Sequence, residues 1–236
     1  MTSAEAGRVT ALYRYPVKSM GSESLATVEA GWNGLVGDRR WAFVRGGMSQ
    51  SNFPWLTIRE APEMWSYTPR FIEPDKPETS LTMILTPDGR EVDVADPALG
   101  ELLEPGARVI RQGRGAFDAM PLSLISTRTL ASISGLAEVR IDPRRFRPNL
   151  VVDTFGDTEY PEDGWVGSVV RIGSMRMRID CRDKRCVMVN VDPETLKKNS
   201  AVLRAVAQER DACLGVYGTI VQPGFVNVGD LVVIEP

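Results

Sequence analysis

MRMRIDCRDKRCVMVNVDP, residues 175–193, carries the pattern on which the reading of this 236-residue chain turns. Met175–Ile179 alternates apolar and charged residues with the period of two expected of a half-buried β-strand. The strand delivers Cys181 to a loop in which Arg182, Lys184 and Arg185 surround Cys186. Cations beside a thiol stabilise its thiolate, the nucleophilic and metal-binding form. A thiolate is also a soft ligand, suited to a polarisable metal centre. Asp192-Pro193 then turns the chain into a final helix. The competing reading makes Cys186 a small buried hydrophobe opening a strand, its basic neighbours in solvent. This stretch by itself leaves both open.

Outward from there the same texture recurs. Arg8–Tyr15, Arg40–Val44, Leu81–Leu85, Arg90–Val94 and Arg108–Arg111 are short β-type runs bounded by Gly, Pro and Asp. Asn149–Val152, Ser168–Ile172 and Leu231–Ile234 repeat it in the second half. Thr86-Pro87-Asp88-Gly89 is a hairpin turn signal, because Gly89 can take a positive φ. Two stretches read as helices: Ser126–Gly135, with a hydroxyl cap and a closing glycine, and Glu194–Glu209, with Leu196, Leu203 and Val206 at helical spacing. Pro193 fits the first turn of the second. The Pro-rich run Glu73–Glu78 reads as a polar loop. The pattern pauses at Leu99–Gly106, which divides the chain into residues 5–105 and 106–236. The fold class is a β-rich α+β protein with a few helices.

Composition removes whole classes of function. The chain has no histidine, so Ser-His-Asp and Cys-His pairs, HExxH zinc sites and His-ligated haem are excluded. Three cysteines are an odd number in a chain this long, which argues for reduced thiols rather than a disulfide framework. They also fall short of the four thiolates of a usual iron–sulfur cluster. A net charge of −3 argues against nucleic acid as a partner. No apolar run has the length of a signal peptide or a membrane span, so the expectation is a cytoplasmic protein without a membrane partner.

Two more basic groups stand out. In Arg144-Arg145-Phe146-Arg147-Pro148-Asn149 the proline disfavours helix at Arg147. An extended entry into the next strand would send Arg145 and Arg147 to one face and Phe146 to the other. Guanidinium forks there match phosphate oxygens. Tyr15-Pro16-Val17-Lys18-Ser19 and Gly37-Asp38-Arg39-Arg40-Trp41 place Lys18, Ser19 and Arg39 at strand ends, where ligand groups are common. Taken singly, each is also an ordinary solvated turn. Gly21 opens no P-loop, and Gly113-x-Gly115 lacks the third glycine of a dinucleotide fingerprint.

Tyr15-Pro16-Val17-Lys18-Ser19 and Gly37-Asp38-Arg39-Arg40-Trp41, with Leu56-Thr57-Ile58-Arg59-Glu60, resemble in order the N-terminal β-barrel domain of MOSC proteins. Arg145-Phe146-Arg147-Pro148-Asn149 and Arg185-Cys186…Val191-Asp192-Pro193 resemble the MOSC domain that follows it. The resemblance implies an N-terminal β-barrel-like domain followed by a MOSC-type β-barrel domain. It further implies a molybdenum cofactor, the form of its pterin left open. Cys186 would be metal ligand and catalytic centre. Lys18, Ser19, Arg39, Arg147, Asn149 and Arg185 would hold the cofactor, with Ala119, Met120 and Pro121 on a loop approaching through its backbone. The implied activity is reduction of small N-hydroxylated or N-oxygenated compounds by oxygen-atom transfer. Electrons would come from a separate donor protein of flavin, iron–sulfur or haem type. The alternative is a sulfur carrier or transferase working through a Cys186 persulfide. The chain departs from the family at Val187–Val191, where relatives often carry paired threonines.

Overall fold

Seven strands close into a barrel. The computed structural model describes residues 3–48 and 50–235. The strand Ala4–Arg14 pairs antiparallel with Leu231–Glu235 on one side and Leu150–Thr154 on the other. The ring runs on from Leu150–Thr154 through Leu122–Ser126, Cys213–Gln222, Met175–Lys184 and Val169–Ile172 back to Leu231–Glu235. Leu122–Ser126 and Leu150–Thr154 lie parallel, and the helix Thr127–Ala137 belongs to the crossover between them. Alternation fills the interior: Met175, Met177 and Ile179 are buried while Arg176 and Arg178 face outward. Leu12, Leu124, Val152, Ile172 and Val216 complete the same core. Each such side chain contributes about 1.5–3 kcal/mol by leaving water.

The first half supplies small sheets around a second core. Trp41–Val44 pairs with Arg108–Arg111, and Thr82–Leu85 lies between Thr68–Phe71 and Glu91–Asp93. Val17, Met20, Phe43, Leu56, Met64, Trp65 and Ile84 fill the space between them. The hairpin at Thr86–Gly89 is present, with Gly89 at φ 85°. Among the described residues there are three α-helices, Pro97–Leu103, Thr127–Ala137 and Ala201–Arg210. None of them is long and apolar enough to cross a membrane. The β-rich expectation holds.

The details correct the sequence reading in three places. Cys181 is not in a loop: the strand continues to Lys184, held by Cys213–Gln222 through register shifts at Ile179/Cys181 and Arg182/Lys184. The final helix begins at Ala201, not Glu194. The reason is local. Asp192 Oδ1 accepts from the backbone N–H groups of Glu194 and Thr195 at 3.1 and 2.9 Å, a turn that competes with helix, and Leu196 takes φ 57°. Arg147 is not extended either. Pro143–Phe146 forms a 3-10 turn capped by Asp142, and Arg147 closes it in the left-handed region at φ 52°, ψ 44°. Pro148 excludes the right-handed helix there, and the anchoring of the guanidinium described below selects the left-handed alternative over the strand.

Candidate functional site: a basic cavity around Cys186

A cavity of about 440 Å³ opens where the first and second halves of the chain meet. Its wall carries eight basic side chains against two acidic ones, Asp118 and Asp183, which makes it a site for an anion. Lys18, Ser19, Arg39, Ala119, Met120, Arg147, Asn149, Arg185 and Cys186 all lie on this wall, although they span 168 positions of sequence. Pro121 does not. It backs onto Gly34, whose positive φ and missing side chain let the two backbones meet; a Cβ there would sit 2.6 Å from the Pro121 carbonyl oxygen.

Three of the wall residues share an uncommon backbone. Ser19, Arg39 and Arg147 have φ of 68°, 50° and 52°. A non-glycine residue in the left-handed region costs about 1–2 kcal/mol, and such conformations persist where the surroundings over-determine them. Here the determinants are visible. The Arg147 guanidinium donates from Nη1 to the Met20 carbonyl at 2.6 Å and stacks on Tyr15 and Trp65, 4.2 and 4.6 Å from the ring centres. Arg39 pairs with Asp38, donates to the Arg147 carbonyl at 3.1 Å and lies 4.7 Å from the Tyr15 ring centre.

The wall residues divide by what their polar atoms already do. Asn149 is a frame residue: its amide donates to the Tyr13 carbonyl and to Asp38, and its oxygen accepts from the Ser123 N–H. Arg185 is another, donating to the Leu214 and Phe146 carbonyls at 2.8 Å each and pairing with Asp183 at 2.8 Å. Arg145 is fixed by the Val189 carbonyl and Asp192. Ser19 Oγ and Arg147 Nη2 are buried without a hydrogen-bond partner, as is Arg145 Nε, whose guanidinium is otherwise held through its other two nitrogens. Unpartnered buried polar atoms are uncommon, and three on one basic wall point to a group that is meant to meet them.

Electrostatics agree with that geometry. Burial pulls the Arg147 guanidinium down to about 9, and Arg39 beside it pushes the same way. Burial also lowers the Lys18 ammonium, although Asp118 opposes the shift. Lys18 Nζ donates to the Ala116 carbonyl at 2.8 Å and to Asp118. An anion in the cavity would offset the penalty on both cations.

Cys186 ends this wall. It is half-buried, extended at φ −130°, and leads into the 3-10 turn Val187–Asn190. Arg59 Nη2 lies 3.2 Å from its sulfur, and the Arg59 guanidinium sits 5.5 Å from the Phe53 ring centre. Among the described residues no group of three or more His, Cys, Asp or Glu side chains is placed to hold a metal ion. A metal here would take one protein thiolate and its remaining ligands from a cofactor. Cys181 also borders the cavity, whereas Cys213 does not.

Sequence reasoning missed Arg59, Asp183 and Tyr217. Arg59 stands inside a motif already noted but 127 residues from Cys186, with no local signal of the contact. Asp183 was an unremarked acid in a basic run; it is buried in the wall, 3.4 Å from Ser123 Oγ, and burial pushes its carboxyl up to about 6 despite Arg185. This value lies above the ~3.9 of an unfolded aspartate, so the native state holds the proton longer. Stability from this group is greatest below pH 4 and falls as pH rises towards 6. The Asp183→Asn variant therefore loses that slope. Unfolding free energies in urea between pH 4 and 7 check it, and parallel curves for the two proteins would reject it.

Comparison with known proteins fits this layout. Residues 112–233 match the model of the MOSC domain, and residues 6–98 that of the MOSC N-terminal β-barrel domain. The mitochondrial amidoxime-reducing component 1 of Homo sapiens is 27% identical over 126 residues, 48% of this chain and 36% of that protein. The molybdenum cofactor sulfurase 2 of Aedes aegypti is 28% identical over an alignment covering 91% of this chain and 31% of that protein. The matches thus span about a third of these relatives' own length. Among solved structures, the YUAD protein from Bacillus subtilis superposes with a TM-score of 0.55 at 15% identity, covering 99% of this chain and 97% of that one, a likeness of fold.

Proposed function

The chain belongs to the MOSC family, and from that premise we propose that its cavity binds a molybdenum–pterin cofactor through the Cys186 thiolate and reduces N-oxygenated compounds. The observation that carries this reading is the pairing of one accessible soft ligand with unpartnered donors on a basic wall. Ser19 Oγ and Arg147 Nη2 are among the orphaned groups, and Lys18 lines the same wall. That donor set fits a phosphate on one end of the ligand and a thiophilic metal on the other. When bound, the group supplies two-electron redox chemistry with transfer of one oxygen atom.

The chain's own part is orientation and charge. Asn149, Arg185 and Arg145 keep the turn at Phe146–Pro148 in place, so that Arg147 is held against Tyr15 and Trp65. Arg59 borders the sulfur, with Phe53 beneath its guanidinium, and shapes the approach of a small substrate. Electrons come from a separate donor protein. In this reading residues 5–105 and 106–236 act as two lobes that share one ligand.

The test is elemental analysis of freshly purified protein, followed by reduction of benzamidoxime with a viologen as artificial donor. Stoichiometric molybdenum with formation of benzamidine supports the reading. Metal-free protein carrying cyanolysable sulfur on Cys186 overturns it in favour of a sulfur carrier or transferase, the class suggested by the long alignment with the sulfurase. A second measurement addresses the wall. Arg147→Ala removes a charge-assisted contact of about 1.5–3 kcal/mol, so cofactor retention through dialysis falls at least tenfold. Unchanged retention rejects a role for Arg147 in holding it.

A further inference from the structure

Of the eight basic side chains on the cavity wall, Lys18, Arg39, Arg145, Arg182 and Arg185 each have a carboxylate partner. Among the described residues Arg59, Arg147 and Lys184 have none. Lys184 is exposed at the end of its strand, and Arg147 is the group assigned above to a phosphate. Arg59 is left, and the chain fixes its place. Ile58 and Ala61 are buried in the core of the first half, and the Glu60 and Ala61 N–H groups donate to the Thr57 carbonyl at 3.0 and 2.9 Å. That turn presents Arg59 at an exposed corner, where Nη2 meets Cys186 Sγ at 3.2 Å. Two acids lie within reach of its charge, Asp118 and Glu60. Both are occupied: Glu60 accepts from the Thr57 N–H and hydroxyl at 3.1 and 2.8 Å, and Asp118 pairs with Lys18. Phe53 completes the corner. Its ring, 41% exposed, lies 5.5 Å from the Arg59 guanidinium and 5.8 Å from Lys18 Nζ. The first half of the chain thus brings an unbalanced cation and an open aromatic face to the sulfur.

We propose that Arg59 determines specificity at this site and that the N-oxygenated substrate is itself an anion, a small molecule with a carboxylate group and a flat apolar body. The proposal rests on the reductase reading above and adds the substrate class to it. A guanidinium presents paired N–H groups that two carboxylate oxygens can accept from at once. Arg59 is free to do so, because its one hydrogen-bond contact in the structure is the sulfur. Cation and ring then act on different parts of one molecule, Arg59 on the charge and Phe53 on the apolar body. A neutral substrate gains the second contact without the first.

Two measurements on the full-length chain and its Arg59→Gln and Arg59→Lys variants test this. The first needs no cofactor. Protein produced without molybdenum is treated with iodoacetate or iodoacetamide, reagents of similar size that differ in charge, and modification of Cys186 is followed by peptide mass spectrometry. Both attack the thiolate, so the ratio of their rates cancels any change in its ionisation and reads the pull on the anion. That ratio is expected to fall about fivefold in Arg59→Gln and to stay near wild type in Arg59→Lys. The second uses molybdenum-loaded protein and a reduced viologen, with benzamidoxime set against its ring-carboxylated analogues. In the wild type kcat/KM favours a carboxylated analogue, and the preference falls about tenfold in Arg59→Gln, mostly through KM. An alkylation ratio unchanged in Arg59→Gln, or a wild type that prefers no carboxylated analogue, overturns the proposal alone. Arg59→Gln that loses its molybdenum and keeps the preference overturns it too, because the guanidinium would then serve the cofactor. Loaded wild type that reduces none of these compounds overturns the reductase reading and the substrate class with it.

Discussion

Replacing Cys186 with alanine removes stoichiometric molybdenum from the purified protein and leaves the barrel standing. The first half of that result follows from the donor set. With no histidine in the chain and no acidic or thiol cluster among the described residues, this sulfur and Cys181 at the edge are the thiols on the basic wall, and a thiolate binds such a metal more strongly than the neutral thioethers of Met120 and Met188. The second half follows from what the side chain does for the fold. Cys186 is half-buried, caps no helix through its sulfur, and meets Arg59 at 3.2 Å on an exposed side. Losing it therefore costs well under about 1 kcal/mol, as do most surface changes away from caps, cores and buried charges. Metal analysis per chain, set against the thermal midpoint, separates the two effects. Full metal occupancy in Cys186→Ala would sink the ligand assignment, whatever the stability. Cys186→Ser sharpens the test, because a hydroxyl keeps the volume yet offers a harder, mostly protonated oxygen.

The barrel strands were legible in sequence wherever alternation ran between strong turn residues. Met175–Ile179 and Leu231–Ile234 alternate because one face fills the barrel, and Thr86–Gly89 announces its hairpin because a glycine must take the positive φ. Cys213–Gln222 shows no clean alternation in sequence, because Gly215 and Gly218 interrupt its pattern. Those glycines are there for close backbone approach: a Cβ at Gly218 would lie 2.4 Å from the Arg178 carbonyl oxygen. The site residues were legible as residue types at strand ends, which is why most fall on one wall. Their roles were not. Whether an arginine reaches a ligand or clamps a turn depends on partners distant in sequence, such as the Leu214 carbonyl for Arg185 and the Met20 carbonyl for Arg147. The left-handed turn at Arg147 illustrates the limit. The proline rule forbids one conformation, and the Met20 carbonyl with the stacking on Tyr15 and Trp65 chooses between the two that remain.

The same long-range logic makes Asp38 the most costly single residue to remove. Its side chain is fully enclosed, and it joins three pieces of chain that sequence keeps far apart. Oδ1 accepts from the Tyr15 N–H at 2.7 Å, Oδ2 accepts from Asn149 Nδ2 at 3.1 Å, and Arg39 completes an ion pair. Asp38→Ala leaves the buried Tyr15 N–H without its acceptor, Asn149 Nδ2 with the Tyr13 carbonyl alone and the Arg39 guanidinium without its carboxylate. Breaking a buried pair from one side costs about 3–5 kcal/mol, a large share of the 5–15 kcal/mol that ordinarily separates folded from unfolded protein. Urea denaturation followed by tryptophan fluorescence reads that loss. Asp38→Asn should fall between wild type and alanine, because it keeps an acceptor for Tyr15 but turns an amide towards Asn149 or Arg39. The variant also reaches the cavity. Once Arg39 loses its partner, its contact with the Arg147 carbonyl no longer fixes the turn, and the cofactor is retained less well although Asp38 itself never meets it. A stability change below about 1 kcal/mol in Asp38→Ala would mean that solvent replaces the carboxylate freely, and that the wall does not depend on this residue for its shape.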